Sequence, residues 1–269
     1  MMLKRLFILM MILAGAPVLA HEFWIEPTEY QVESGAILTA DLKNGENFRG
    51  TSLGWFDNNF TRFDIAAGQR LVAVDGRPGD YPALNMQTPA DGLLVVLHET
   101  TPASLTYREW EKFQKFADHK DFPDAAAVHE ERGWSTEKFR ESYTRHVKAL
   151  IAAGDGAGAD RAFGLETEIV ALDNPYAGGF AGPLRVRVLY QDAPRADAQV
   201  EVFERDPSGE VTVSLVRTDA RGIAPVPVRA GHEYLLDAVV LREAESAGSE
   251  PDAPVWRTLW AALTFRVPD

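Results

Sequence analysis

The stretch QVEVFERDPSGEVTVSLVR, residues 199–217, decides the fold class. Gln199 to Glu204 and Val211 to Arg217 are rich in β-branched and apolar residues, and Pro207-Ser208-Gly209 between them is turn chemistry. The segment therefore reads as two strands joined by a tight connection. The pattern continues on both sides. Leu184 to Tyr190 precedes it, and Ala224 to Val228, Tyr234 to Leu241 and Leu259 to Val267 follow, with turns at Ala193-Pro194, Asp219-Ala220-Arg221-Gly222 and Ala230-Gly231. This hairpin spacing predicts a small β-sandwich over residues 181–269. Gly178-Gly179 and Gly182-Pro183 ahead of it read as a linker, which puts a domain boundary near residue 180.

Further back, residues 21 to about 98 are again short strand candidates punctuated by Gly, Asn, Asp and Pro. They include Phe23 to Ile25, Tyr30 to Leu42 with a turn signal at Asn44-Gly45, Phe60 to Ile65, Arg70 to Val74 and Leu93 to His98. From Thr106 the period lengthens. Tyr107, Trp110, Phe113 and Phe116 fall on one helical face, and a second run from Ser135 to Ile151 carries the stripe Phe139, Tyr143, Val147, Leu150 behind a capping Ser135. Gly154 to Gly164 reads as a loop and Leu165 to Leu172 as one more strand. The expectation is a mainly β protein of two β-sandwich-type domains, residues 21–180 and 181–269, the first carrying a helical insertion over about residues 106–151.

Residues 1–20 read as a signal peptide. Lys4 and Arg5 form a positive start, Leu6 to Leu13 an apolar run, and Val18-Leu19-Ala20 a cleavage site before His21. The apolar run is too short for a comfortable membrane span and no later stretch approaches one. The expected product is a soluble periplasmic protein that does not span the membrane. Losing Lys4 and Arg5 moves the net charge from −13 to −15, which argues against nucleic acid as a partner and suits cations. Cysteine is absent, so a metal site in this chain must use nitrogen, carboxylate, thioether or main-chain donors.

After cleavage, His21 would offer one cation two nitrogens, its free amine and its ring, in a single chelate. A second imidazole would complete a T-shaped three-nitrogen site of the kind that suits copper and also admits nickel. His98, at a strand end beside Glu99, is the first candidate for that role. His119, at a helix end, and His129, ten residues on, are further candidate ligands, whereas His146 reads as a surface or core residue. No catalytic constellation is visible after residue 180, since Ser208 and Ser214 have no neighbouring base and His232 sits in a turn; the chain reads as a non-enzyme.

With these residues noted, the chain resembles the DUF4198 family of exported bacterial proteins. The resemblance is carried by His21-Glu22-Phe23-Trp24-Ile25-Glu26-Pro27, Thr101-Pro102 to Tyr107 with Trp110 and Phe113, Asn174-Pro175-Tyr176, Thr218 to Gly222, and Trp260 to Phe265. It implies an association with nickel uptake, and a C-terminal half similar to carboxypeptidase-regulatory and transthyretin-like sandwiches. The functional expectation is a periplasmic protein that binds a divalent transition metal (nickel, cobalt or copper), with a separate transporter as its partner. The alternative is a non-enzymatic envelope interaction module that docks on a protein or carbohydrate.

Overall fold

The computed structural model describes residues 21–269, so the expected signal peptide lies outside the described residues. The chain begins with β1 (Glu22–Pro27), β2 (Gln31–Val32), β3 (Ile37–Glu46), β4 (Arg49–Leu53), β5 (Phe60–Ala67) and β6 (Arg70–Ala73). It continues through β7 (Leu84–Gln87), β8 (Gly92–Thr100), β9 (Ala103–Tyr107), the helices α1 (Trp110–His119) and α2 (Ala125–Glu131), β10 (Phe139–Ala153) and β11 (Thr167–Ala171). The last third holds β12 (Leu184–Tyr190), β13 (Ala193–Pro194), β14 (Gln199–Arg205), β15 (Val211–Arg217), β16 (Ile223–Val226), β17 (Glu233–Glu243) and β18 (Trp256–Arg266). The mainly β expectation holds.

A ten-stranded sheet ordered β15-β14-β17-β18-β10-β8-β5-β6 forms the middle layer, with β2 and β9 also pairing to β10. Its two faces are covered by different sheets. Leu93, Val95, Leu97, Leu150 and Ala152 pack with Ile169, Val186 and Val188 of the β11-β12-β13-β16 sheet. Leu94, Val96, Val147, Ala149 and Ile151 pack with Trp24, Ile25, Leu38 and Leu42 of the β1-β3-β4-β7 sheet. Because successive strand residues point to opposite faces, a strand covered on both sides needs apolar residues at nearly every position. Leu93 to Leu97 and Leu259 to Leu263 have that composition.

This double burial corrects the second half of the expected helical insertion. Residues 135–151 do not form a helix; they lead into and largely make up β10, fifteen residues long, parallel to β18 on one side and antiparallel to β8 and β9 on the other. The spacing of Phe139, Tyr143, Val147 and Leu150 mimics a helical stripe only because the residues between them are buried too. Lys148, which a helix would turn to solvent, is buried, with Nζ 2.8 Å from Asp160 and 2.9 Å from Glu168; these contacts tether the 154–164 loop. Trp110, Phe113 and Phe116 do lie on a helix, as their spacing predicts, and α2 follows after Pro123.

The Asn44-Gly45 turn signal is also displaced. Both residues lie within β3, and the chain reverses at Asn47 and Phe48, where φ is 52° and 59°. Gly45 is required for a different reason: a Cβ there would sit 2.1 Å from the Arg49 carbonyl oxygen.

The middle sheet crosses the boundary expected near residue 180, because β18 pairs with β10 from Glu141↔Trp256 to Ala149↔Thr264. Residues 182–269 expressed alone would leave that edge of β18 unpaired and one face of Leu184, Val186 and Leu263 without its packing. We expect this fragment to show no cooperative thermal transition by circular dichroism. A cooperative transition with native-like β signal would restore an independent C-terminal domain.

Candidate functional site

The parallel register of β10 and β18 builds the site. It pairs Glu141 with Trp256, Tyr143 with Thr258 and Arg145 with Trp260, while β17 places Asp237 beside Glu201 of β14. By strand alternation these side chains share the face that looks toward β1. Over them opens a cavity of about 600 Å³, with Phe23, His98, Tyr107, Phe116, Arg145 and Trp260 among its walls.

A buried polar network lies against the cavity, which Glu141 and Arg145 of the network line. Glu141 accepts hydrogen bonds from the Tyr107 hydroxyl (2.9 Å) and from the Thr258 hydroxyl, and burial pushes its carboxyl up to about 7. The Arg145 guanidinium lies 3.9 Å from the centroid of the Trp260 ring. Lys120 Nζ lies 4.8 Å from the same centroid and is clamped by Glu201 at 2.5 Å and Asp237 at 2.9 Å. Burial opposes the Lys120 charge, but the two carboxylates outweigh it and hold the ammonium above its ordinary range. Glu22, the first residue of β1, is buried above this group and accepts the Asn47 N–H. Burial, reinforced by the nearby Asp237, pushes its carboxyl up to about 8.

The four candidate metal ligands divide into two groups. His21 and His98 line the cavity together. His21 is exposed, 3.9 Å from Glu46, whereas His98 is buried among Phe23, Phe60 and Phe63 with ring centroids 5.0–5.4 Å away. Burial holds the His98 ring neutral by pushing its pKa down to about 3, and its Nδ1 has no partner among the described residues. His119 lies outside the cavity wall, its Nε2 2.8 Å from Glu201. His129 is fully buried in an aromatic cage: Nδ1 accepts from the Trp256 indole N–H at 3.0 Å, and Nε2 sits 3.1 Å from the Ser135 carbonyl oxygen. With both nitrogens engaged, His129 has none left for a metal. His146 is buried on the opposite face of β10. Among the described residues no three His, Asp or Glu side chains are arranged to hold one ion.

The sequence reading misses Glu22, Glu141, Arg145, Lys120 and Asp237. The signal for Glu141 and Arg145 was present, as charges inside an apolar run, but a helical reading assigns such charges to solvent.

A family model described as a domain of unknown function, DUF4198, matches residues 18–242. The chain belongs to the DUF4198 family. The matched DUF4198 region runs from β1 into β17 and includes the residues that line the cavity except Trp260 of β18. Among curated proteins none matches this chain. Among solved structures the chain is similar to a tetra-tandem repeat in the extending region of a large adhesion protein, at 12% identity over 92% of this chain and 50% of that one, with a TM-score of 0.21. It is also similar to the D0-D1 domain of intimin, at 11% identity over 90% of this chain and 97% of that one, with a TM-score of 0.21. The DUF4198 chain thus spans half the length of the first of these.

The buried carboxyl of Glu22 sets a pH dependence with a definite sign. Its folded pKa of about 8 lies above the ordinary value of 4.5, so the folded state binds the proton more tightly, and stability falls as pH rises from about 4.5 to about 8. Glu22→Gln removes that dependence. In urea denaturation at pH 5 and pH 8, the variant should gain about 1–3 kcal/mol relative to wild type on going to the higher pH. An unchanged difference between the two would show that Glu22 is not held protonated.

Proposed function

We propose that this chain is an exported binding protein for one divalent transition-metal ion, held at the cavity mouth by the amine and ring of His21 and the ring of His98, and passed on to a separate membrane transporter. One observation carries the reading: of the histidines distributed along the chain, these two line the same cavity. His98 is suited to the role chemically, because a ring kept neutral down to about pH 3 has no proton to lose before it coordinates. Since no group of three His, Asp or Glu side chains converges among the described residues, the site needs the terminal amine as its third donor. That makes the metal cargo dependent on cleavage directly before His21. Nitrogen donors of this kind rank Cu(II) above Ni(II) and Co(II), so availability in the periplasm selects the ion.

The test uses the exported protein, with its amino terminus established by mass spectrometry. Titration calorimetry with Ni(II) and with Cu(II) should give one ion per chain. Adding one alanine before His21, or making His98→Ala, should each weaken binding at least about tenfold. Unchanged affinity in both variants removes the metal reading and leaves the interaction-module reading in its place.

A further inference from the structure

Arg145 is the residue that the metal reading leaves without a role. It is 9% exposed, it lines the cavity, and its side chain donates no hydrogen bond to a protein acceptor among the described residues; Nη1 is fully buried and unsatisfied. Its main-chain N–H is satisfied by the Thr100 hydroxyl at 3.0 Å, so the orphan donors belong to the guanidinium alone. The neighbouring cation is different: Lys120 already holds two carboxylates, at 2.5 and 2.9 Å. A buried guanidinium without a partner is costly, and burial is the first cause that lowers the pKa of Arg145. The carboxyls that act on its charge are engaged elsewhere, Glu141 by the Tyr107 and Thr258 hydroxyls, Asp237 by Lys120 and Glu22 by the Asn47 N–H, and none forms an ion pair with Arg145 among the described residues.

We propose that the cavity binds a small organic carboxylate, with its carboxylate on the guanidinium of Arg145 and its apolar body among Phe23, Phe116 and Trp260. The planar guanidinium matches a carboxylate with two parallel N–H···O bonds. Stacking on Trp260 fixes the plane of the fork before the ligand arrives, which reduces the ordering that binding requires. The apolar walls favour a monoanion with an apolar body over phosphate, which has no apolar body to place against Phe23, Phe116 and Trp260. The volume of about 600 Å³ is ample for a one-ring acid. The proposal does not rest on the metal reading, because Arg145 sits on the cavity floor and His21 at its mouth.

The experiment titrates the exported protein, treated with EDTA, with benzoate, benzamide and inorganic phosphate by calorimetry. It also follows the Arg145 Nε–H cross-peak by NMR, assigned through bonds in the wild-type protein. Saturable benzoate binding at least about tenfold tighter than benzamide, with a shift of the Arg145 signal, supports the site; the same result in His21→Ala separates it from metal binding. Arg145→Met, checked for fold by circular dichroism, should lose benzoate affinity by at least about tenfold. Should that variant unfold, the wild-type cross-peak decides. Absent saturation, equal affinity for benzamide, phosphate binding tighter than benzoate, or an Arg145 signal that does not move would each overturn the proposal.

Discussion

The parallel pairing of β10 with β18 is the constraint on which the rest of the structure depends. It joins strands separated by about a hundred residues of chain, so it cannot form until both halves have folded against one another. Without it the ten-stranded sheet would be two smaller sheets, each with an unpaired edge, and neither covering sheet would have a full face to pack on. The cost of bringing distant strands together is offset by burial on both sides, since each β10 residue from Val147 to Ala153 contributes to the middle layer or to its tether.

The same pairing makes the site. A parallel ladder sets residues at fixed steps, and this one places Arg145 beside Trp260 and Tyr143 beside Thr258 at the rim of the apolar core. There Phe116 of α1 and Lys120 just after it lie against Trp260. Charges in that position lose nearly all their water. Lys120 resolves the problem with two carboxylates, Glu141 with two hydroxyl donors, and Glu22 by retaining its proton. Among the described residues Arg145 has none of these solutions, only the Trp260 ring beneath it. An arginine retains its charge in nearly all surroundings, and the proposed carboxylate ligand would supply the partner that this one lacks.

Much of the fold was legible in the sequence. Val211 to Arg217 is a strand with the expected bounds, Gln199 to Glu204 extends by one residue, and the Asp219 to Gly222 turn stands where turn chemistry puts it. β15 is the edge strand, largely exposed, and the turn chemistry on either side of it marks its bounds. Residues 139–153 were illegible for the opposite reason: with both faces covered, period 2 vanishes, and a stripe at helical spacing can be drawn through almost any apolar run. That single substitution of helix for strand also hid Glu141 and Arg145. Of the four candidate ligands, His21 and His98 line one cavity. His129 shows what spacing cannot supply, since its engagement by Trp256 and Ser135 depends on contacts across the fold.

Native-state hydrogen exchange tests the central claim, that one sheet crosses both halves of the chain. Under increasing urea, the amides of residues 144–149 in β10 and 259–264 in β18 should be among the slowest to exchange and should converge on one opening free energy, because neither strand can open without the other. Exchange of residues 184–266 as a unit, at a lower free energy and with residues 139–153 still protected, would contradict the account and divide the chain into two independent bodies.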